Sequence, residues 1–182
     1  FITSTKPLAL SSILDLSIGI KRPYHFCESG FLTIPASAFR NNVDLVSVHI
    51  PDTITSLGWG IFEGCTAIEE ITVPFIGAAT TGHGDAYYVF DSMFAYKSYN
   101  PSTTNTHVPA SVKKVTITKQ TELPYRAFYG CKYIEEINIP ENVTTINGSA
   151  FYECSALLRL NSTVDNVFNV PEGVTTIKSY TF

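Results

Sequence analysis

The sequence predicts a solenoid, a right-handed coil in which each turn contributes one short strand to a continuous parallel sheet. Three observations predict it. The first is a phrase that recurs at one fixed offset, the same from Phe128 to Phe151 as from Phe39 to Phe62. Ala127-Phe128-x-x-Cys131-x-x-Ile134-x-x-Ile137-x-Ile139-Pro140 runs through Val143-Thr144-x-Ile146 into Ala150-Phe151-x-x-Cys154-x-x-Leu157-x-x-Leu160. An earlier copy holds Ala38-Phe39, Leu45, Val48, Ile50-Pro51, Ile54 and Leu57, followed by Ile61-Phe62, Cys65, Ile68, Ile71 and Val73-Pro74. The second is the apolar spacing x, x+3, x+5 inside each copy. The third is a Leu or Ile five residues before a Phe, at Ile34/Phe39, Leu57/Phe62, Leu123/Phe128, Ile146/Phe151 and Ile177/Phe182, which fixes the phase.

A period of about 20 to 29 residues with this spacing belongs to a leucine-rich-repeat solenoid, because one turn cannot bury its apolar face until a neighbour stacks on it. The predicted rungs, in order, are Ile13/Leu16/Ile18, Leu45/Val48/Ile50, Ile68/Ile71/Val73, Val112/Val115/Ile117, Ile134/Ile137/Ile139 and a weaker Leu157/Leu160. Side chains alternate across a strand, so the last two apolar positions point inward and the residue between them points out. Each Ala-Phe-x-x-Cys segment reads as a short helical turn on the opposite wall, its Phe stacked on the Phe of the next turn. The fold is thus mostly β, with loops and short helical turns facing the sheet.

Three stretches break the rhythm. Residues 19–30 lengthen the first turn, 161–168 read as an extended loop, and 75–107 form a long insertion rich in Gly, Thr, Asn and aromatic residues. Val108-Pro109-x-x-Val112 restores the phrase at once, so the insertion belongs to the coil. Phe90 or Phe94 is expected to replace the missing Ala-Phe. The whole of 1–182 reads as a single domain. With no initiator Met, and with Val174, Ile177, Tyr180 and Phe182 keeping the interior pattern to the last residue, it reads as a fragment. That end reads as an uncapped rung open to self-association.

Composition narrows the functions. Charged residues make up 15%, against about 25% in an average domain. The net charge of −4 and pI near 5.5 give no basic footprint for nucleic acid or anionic membrane. No apolar stretch reaches the roughly 20 residues of a membrane span. Cys65, Cys131 and Cys154 each follow a repeat Phe by three residues and so fill one recurring slot, which favours small buried thiols over two disulfides. Zinc has no C-x-x-C spacing to use, and His25, His49, His83 and His107 fall in different turns. No nucleophile elbow, phosphate loop or cofactor motif is present, so no catalytic, cofactor-binding or metal residue is assigned. Three N-x-S/T sequons start at Asn142, Asn147 and Asn161. A chain this rich in Ser, Thr and Asn carries sequons by chance, so they do not identify a secretory host.

The run AFYGCKYIEEINIPENVTTINGSAFYEC, residues 127–154, resembles the leucine-rich repeats of the BspA-like type, and the resemblance extends over most of the chain from about Leu32. It implies a non-catalytic, cell-surface or secreted module for adhesion. The partner would be a host or neighbouring-cell surface protein, or a glycan. A structural spacer and an auxiliary domain of a larger surface enzyme are the alternatives.

Two surfaces are candidates for binding. Aligning the rungs puts Asp15, Ser47, Glu70, Lys114, Glu136 and Arg159 in one outward column and Ser17, His49, Thr72, Thr116, Asn138 and Asn161 in the next, about 4.8 Å apart from rung to rung. The charges alternate along the first column, which suits mutual pairing as well as recognition. The insertion offers Tyr87, Tyr88, Tyr96 and Tyr99, and Tyr contributes amphipathic contact area at small entropic cost. Some of its aromatics must also pack the insertion onto the coil.

Overall fold

In the computed structural model, residues 33–77, 89–95 and 107–182 are described, together with the backbone of Tyr24–His25. The strands are β1 Tyr24–His25, β2 Thr33–Ile34, β3 Ser47–His49, β4 Ser56–Leu57, β5 Glu70–Val73, β6 Lys114–Ile117, β7 Glu122–Leu123, β8 Glu136–Asn138, β9 Thr145–Ile146, β10 Arg159–Leu160, β11 Val167–Phe168 and β12 Thr176–Ile177. Seven of them form one parallel sheet in the order β1-β3-β5-β6-β8-β10-β11. Inside it the aliphatic phrase is buried as the alternation requires: Val48, Ile71, Val115 and Ile137 are all at most 3% exposed.

A second wall is also β structure, which the sequence does not announce. The Leu or Ile five residues before each Phe ends a two-residue strand, and these strands pair as β2-β4 and as β12-β9-β7. They are too short for an alternating pattern to stand out.

The third wall carries the Phe residues, and here the expectation of helical turns is corrected. Five Phe amides donate to a carbonyl of the next turn: Phe39 to Ile61, Phe62 to Met93, Phe90 to Ala127, Phe128 to Ala150 and Phe151 to Thr181, all at 2.7–2.9 Å. A helix would spend those amides on its own carbonyls. What bends the chain instead is a pair of left-handed residues on either side of the Phe. Ser37, Gly60, Arg126, Ser149 and Tyr180 stand two before it, and Asn41, Gly64, Gly130 and Glu153 stand two after it, all with positive φ. Gly has no Cβ to crowd the carbonyl at positive φ and Asn tolerates that conformation, whereas Ser37, Arg126, Ser149, Glu153 and Tyr180 adopt it at a cost. Among the described residues only Phe90–Met93 forms a 3-10 turn.

The rings stack as foreseen and further. Phe39–Phe62, Phe128–Phe151 and Phe151–Phe182 lie 5.6, 5.7 and 5.3 Å apart with nearly parallel planes. The insertion supplies both Phe94, 5.8 Å from Phe62, and Phe90, 5.3 Å from Phe128, and these two meet edge-on at 5.4 Å. The column is therefore continuous from Phe39 to Phe182. Beyond it, the Cys slot ties turns together: Cys65 donates its S–H to the Phe39 carbonyl at 2.9 Å, and Cys154 donates to the Phe128 carbonyl at 3.1 Å. Burial pushes the Cys154 thiol up to about 12 and raises Cys65 as well, which keeps both protonated and able to donate.

Two readings of the rhythm change. Ile13, Leu16 and Ile18 lie outside the described residues, and the place beside β3 is taken by Tyr24–His25, with Tyr24 opposite Val48. That separation differs from the repeat period by a single position, whereas Leu16 lies well over one period before Val48. The segment 161–168 does not stay a loop to its end, because β11 pairs beside β10 with Arg159 opposite Val167. This extra short turn lengthens the interval from Phe151 to Phe182 beyond the one from Phe128 to Phe151.

Two outcomes test this architecture. Phe128→Ala is expected to cost about 3 to 5 kcal/mol, because the ring is fully buried between two others and the site cannot collapse fully. A loss under about 1 kcal/mol in chemical denaturation would place the ring at the surface. Alkylation of denatured, non-reduced protein is expected to label Cys65, Cys131 and Cys154, none of which is in a disulfide. A disulfide-linked peptide containing any of them would contradict the buried-slot account.

Candidate functional site

Strand register builds the outward face of the long sheet. Ser47, Glu70, Lys114, Glu136 and Arg159 are opposed in succession along one row, and His49, Thr72, Thr116 and Asn138 along the next. The interior residue between the two rows is buried on each rung, so these side chains are left half-buried or exposed. Asp15 and Ser17, expected to begin the rows, lie outside the described residues. Asn161, expected to extend the second row, turns back instead: its Oδ1 accepts the Ile139 amide at 2.7 Å.

The charged row neutralises itself at one end. Lys114 Nζ stands 2.9 Å and Arg159 Nε 3.2 Å from opposite oxygens of Glu136, and Arg159 also pairs with Asp165. Burial opposes ionisation of Glu136. Hydrogen bonds from Lys114, Asn138 and Arg159, with the Lys114 charge, outweigh it and hold the carboxyl below its ordinary value. The full alternation of pairs that the sequence suggests is not reached, because Lys114 turns to Glu136 and no Glu70–Lys114 ion pair exists among the described residues. Glu136 is the better partner: it is only 15% exposed and meets two cations, whereas Glu70 stands at the surface.

In the second row, Asn138 Nδ2 donates to Glu136 at 2.8 Å and reaches Thr116 Oγ1 at 3.4 Å. The row of His49, Thr72, Thr116 and Asn138 thus offers an imidazole, two hydroxyls and an amide in register, with the amide pinned by its charged neighbour. These are groups that can donate and accept hydrogen bonds.

Tyr87, Tyr88, Tyr96 and Tyr99 lie outside the described residues, as does His83. What is described of the insertion is its anchorage. Phe75 and Ile76 are fully buried, and Phe90–Met93 is seated in the Phe wall. The buried Asp91 carboxylate accepts the His107 backbone N–H and faces its ring Nδ1 at 2.9 Å, which ties together the two ends flanking 96–106. Nothing in the sequence singles out Asp91, since a lone Asp beside a Phe carries no signal.

Sequence reasoning also misses an aromatic group on the outer wall. Tyr129 and Tyr152, each following a column Phe, stack at 5.3 Å, and the Arg126 guanidinium lies over Tyr129 and Tyr125 at 4.6 and 5.2 Å. The repeated Phe-Tyr dipeptide at 128–129 and 151–152 is the signal that could have found it. Among the described residues no three His, Cys, Asp or Glu side chains could hold a metal ion, and no helix is long and apolar enough to cross a membrane.

The Glu136 site generates a pH dependence. A carboxyl whose folded value is depressed contributes stability that is present above its unfolded value and lost as pH falls through the folded one. Glu136→Gln is therefore expected to lower the thermal midpoint at pH 7 and to narrow its gap from the parent protein as the pH drops below the ordinary carboxylate range. Parallel midpoint curves for the two proteins would show that the ion pairs add nothing.

No curated protein matches the chain. Among solved structures, it is similar to a leucine-rich repeat protein from Eubacterium ventriosum at 22% identity, with a TM-score of 0.51 over 82% of this chain and 33% of that one. It is also similar to a leucine rich cell surface protein from Faecalibacterium prausnitzii, at 27% identity and a TM-score of 0.46 over 76% of this chain and 31% of that one. A leucine-rich repeat protein from Bacteroides ovatus matches at 25% identity and a TM-score of 0.40, over 83% of this chain and 38% of that one. The chain spans about a third of the length of these proteins. The model of the BspA type leucine rich repeat region matches residues 32–182 in six copies, the same residues whose Phe-to-Phe period builds the column, and the chain belongs to that family.

Proposed function

We propose that this chain is a surface-exposed, non-catalytic repeat module that binds a protein of another cell through the outward face of its long sheet. One observation carries the reading: the register sets His49, Thr72, Thr116 and Asn138 side by side in a half-buried polar row next to charges that are already partly satisfied. Such a row can pair with a partner's polar groups without the large desolvation cost of an unpaired charge. The rigid wall behind it limits the entropy lost on binding. Family membership supports the surface assignment. Tyr87, Tyr88, Tyr96 and Tyr99 belong by sequence to the insertion between β5 and β6, whose base is clamped by Asp91 and His107, and in this reading they extend the contact.

A structural spacer is the second reading, favoured by the pairing of Glu136 with Lys114 and Arg159.

A panel of extracellular proteins and glycans probed with the chain separates the two. Retention of a protein partner is expected, and Thr72→Arg with Thr116→Arg should weaken it at least tenfold while leaving the thermal midpoint unchanged. Replacing 78–104 with a Gly/Ser linker should weaken the same complex. No retained partner favours the spacer, retention of glycans alone replaces the protein with a sugar, and binding indifferent to the arginine pair moves the site off the sheet.

A further inference from the structure

The three sequons are equivalent as sequence and sharply different as structure. Asn147 is buried, and both amide hydrogens are in use: Nδ2 donates to Glu122 Oε1 and to the Leu123 carbonyl, while Oδ1 accepts from Lys178 Nζ. It cross-links three consecutive turns of the second wall. Asn161 stands at φ 47° with Oδ1 held by the Ile139 amide and Nδ2 closed off from solvent. A sugar on either amide would have to displace packed protein. Asn142 is the opposite case. It is exposed at the tip of the turn 140–143, closed by the Val143 amide on the Pro140 carbonyl at 3.2 Å, and Thr144 of its sequon is exposed beside it.

We propose that Asn142 is a site of N-linked glycan attachment, and that Asn147 and Asn161 are structural amides whose sequons are incidental. The donor is a lipid-pyrophosphate-linked oligosaccharide. Asn142 Nδ2 bonds to the anomeric carbon, the bond from that carbon to the phosphate oxygen breaks, the lipid pyrophosphate leaves, and one Nδ2 proton is released. Only the place of the reaction rests on the surface assignment. A glycan there would stand on the rim between the long sheet and the second wall, clear of the Phe column.

The test passes the chain through a eukaryotic secretory pathway and maps glycopeptides in the secreted and the cell-retained pools. The secreted, monomeric pool is expected to carry a glycan at Asn142 and none at Asn147 or Asn161, and Asn142→Gln is expected to abolish the mass increment without reducing secretion. An unmodified Asn142 in both pools, or an occupied Asn147 or Asn161 in folded secreted protein, would overturn the proposal. Thermal midpoints of unglycosylated bacterial protein give a second reading: Asn142→Gln should match the parent, while Asn147→Gln and Asn161→Gln should melt lower. Equal midpoints for all three would remove the distinction between exposed and structural amides. Occupancy is read without reference to any binding partner, so failure here and failure of the binding assay are separate results.

Discussion

Each regular turn of this chain must bring a Phe to 5.3–5.7 Å from the one before it and give that Phe amide to a carbonyl of the turn after it. The rest of the molecule is arranged around meeting that requirement. Ring stacking adds about 0.5 to 1.5 kcal/mol per pair beyond the area buried, and the lateral hydrogen bonds leave no Phe amide of the column buried without a partner. Together they fix the rise per turn on one wall as the strand ladder fixes it on the other. The left-handed residues two before and two after the Phe are the consequence, since the chain must approach and leave that wall within a few residues. Gly58 marks another tight passage: a Cβ there would stand 2.2 Å from the Ala36 backbone nitrogen.

The insertion illustrates how strong the requirement is. From Glu70 to Lys114 the chain uses nearly twice the length that it uses from Ser47 to Glu70, yet β5 and β6 are direct neighbours and the Phe column does not break. Phe94 and Phe90 fill the interval that one Phe fills elsewhere, and Asp91 between them holds His107 so that the phrase can resume at Val108. Extra residues are accommodated only where the turn that carries them stays intact. The additional residues after β10 follow the same rule, with Phe168 meeting Phe182 edge-on. The sheet face beside such an insertion has a stiff frame, because both of its rows are held in register from behind.

The period, the long sheet and the Phe column are legible in the sequence because they rest on large aliphatic and aromatic residues at fixed spacing. Ser47 through Arg159 and His49 through Asn138 are legible for the same reason, as alternation converts phase into facing. What cannot be read is set by the backbone. Whether Ala-Phe-x-x-Cys coils as a helix or spends its amides on the next turn depends on φ at Arg126 and Gly130, and only the second of these residues hints at it. The strand beside β3 is not legible because Tyr24–His25 lacks the aliphatic phrase. Asn161 is aligned correctly and faced wrongly, since its side chain finds the Ile139 amide. The Glu136 network is half legible: opposite charges in register predict pairing, but the choice of Glu136 over Glu70 depends on burial.

Native-state hydrogen exchange, resolved by residue, tests the central claim most directly. If the insertion is spliced into a continuous hydrogen-bonded column, the amides of Phe62, Phe90 and Phe128 exchange as slowly as that of Ile50, which bonds to Thr72 in the sheet. Rapid exchange at Phe90 and Phe62, with Ile50 still protected, would mean that the Phe wall is broken at the insertion and that the sheet alone holds the turns together.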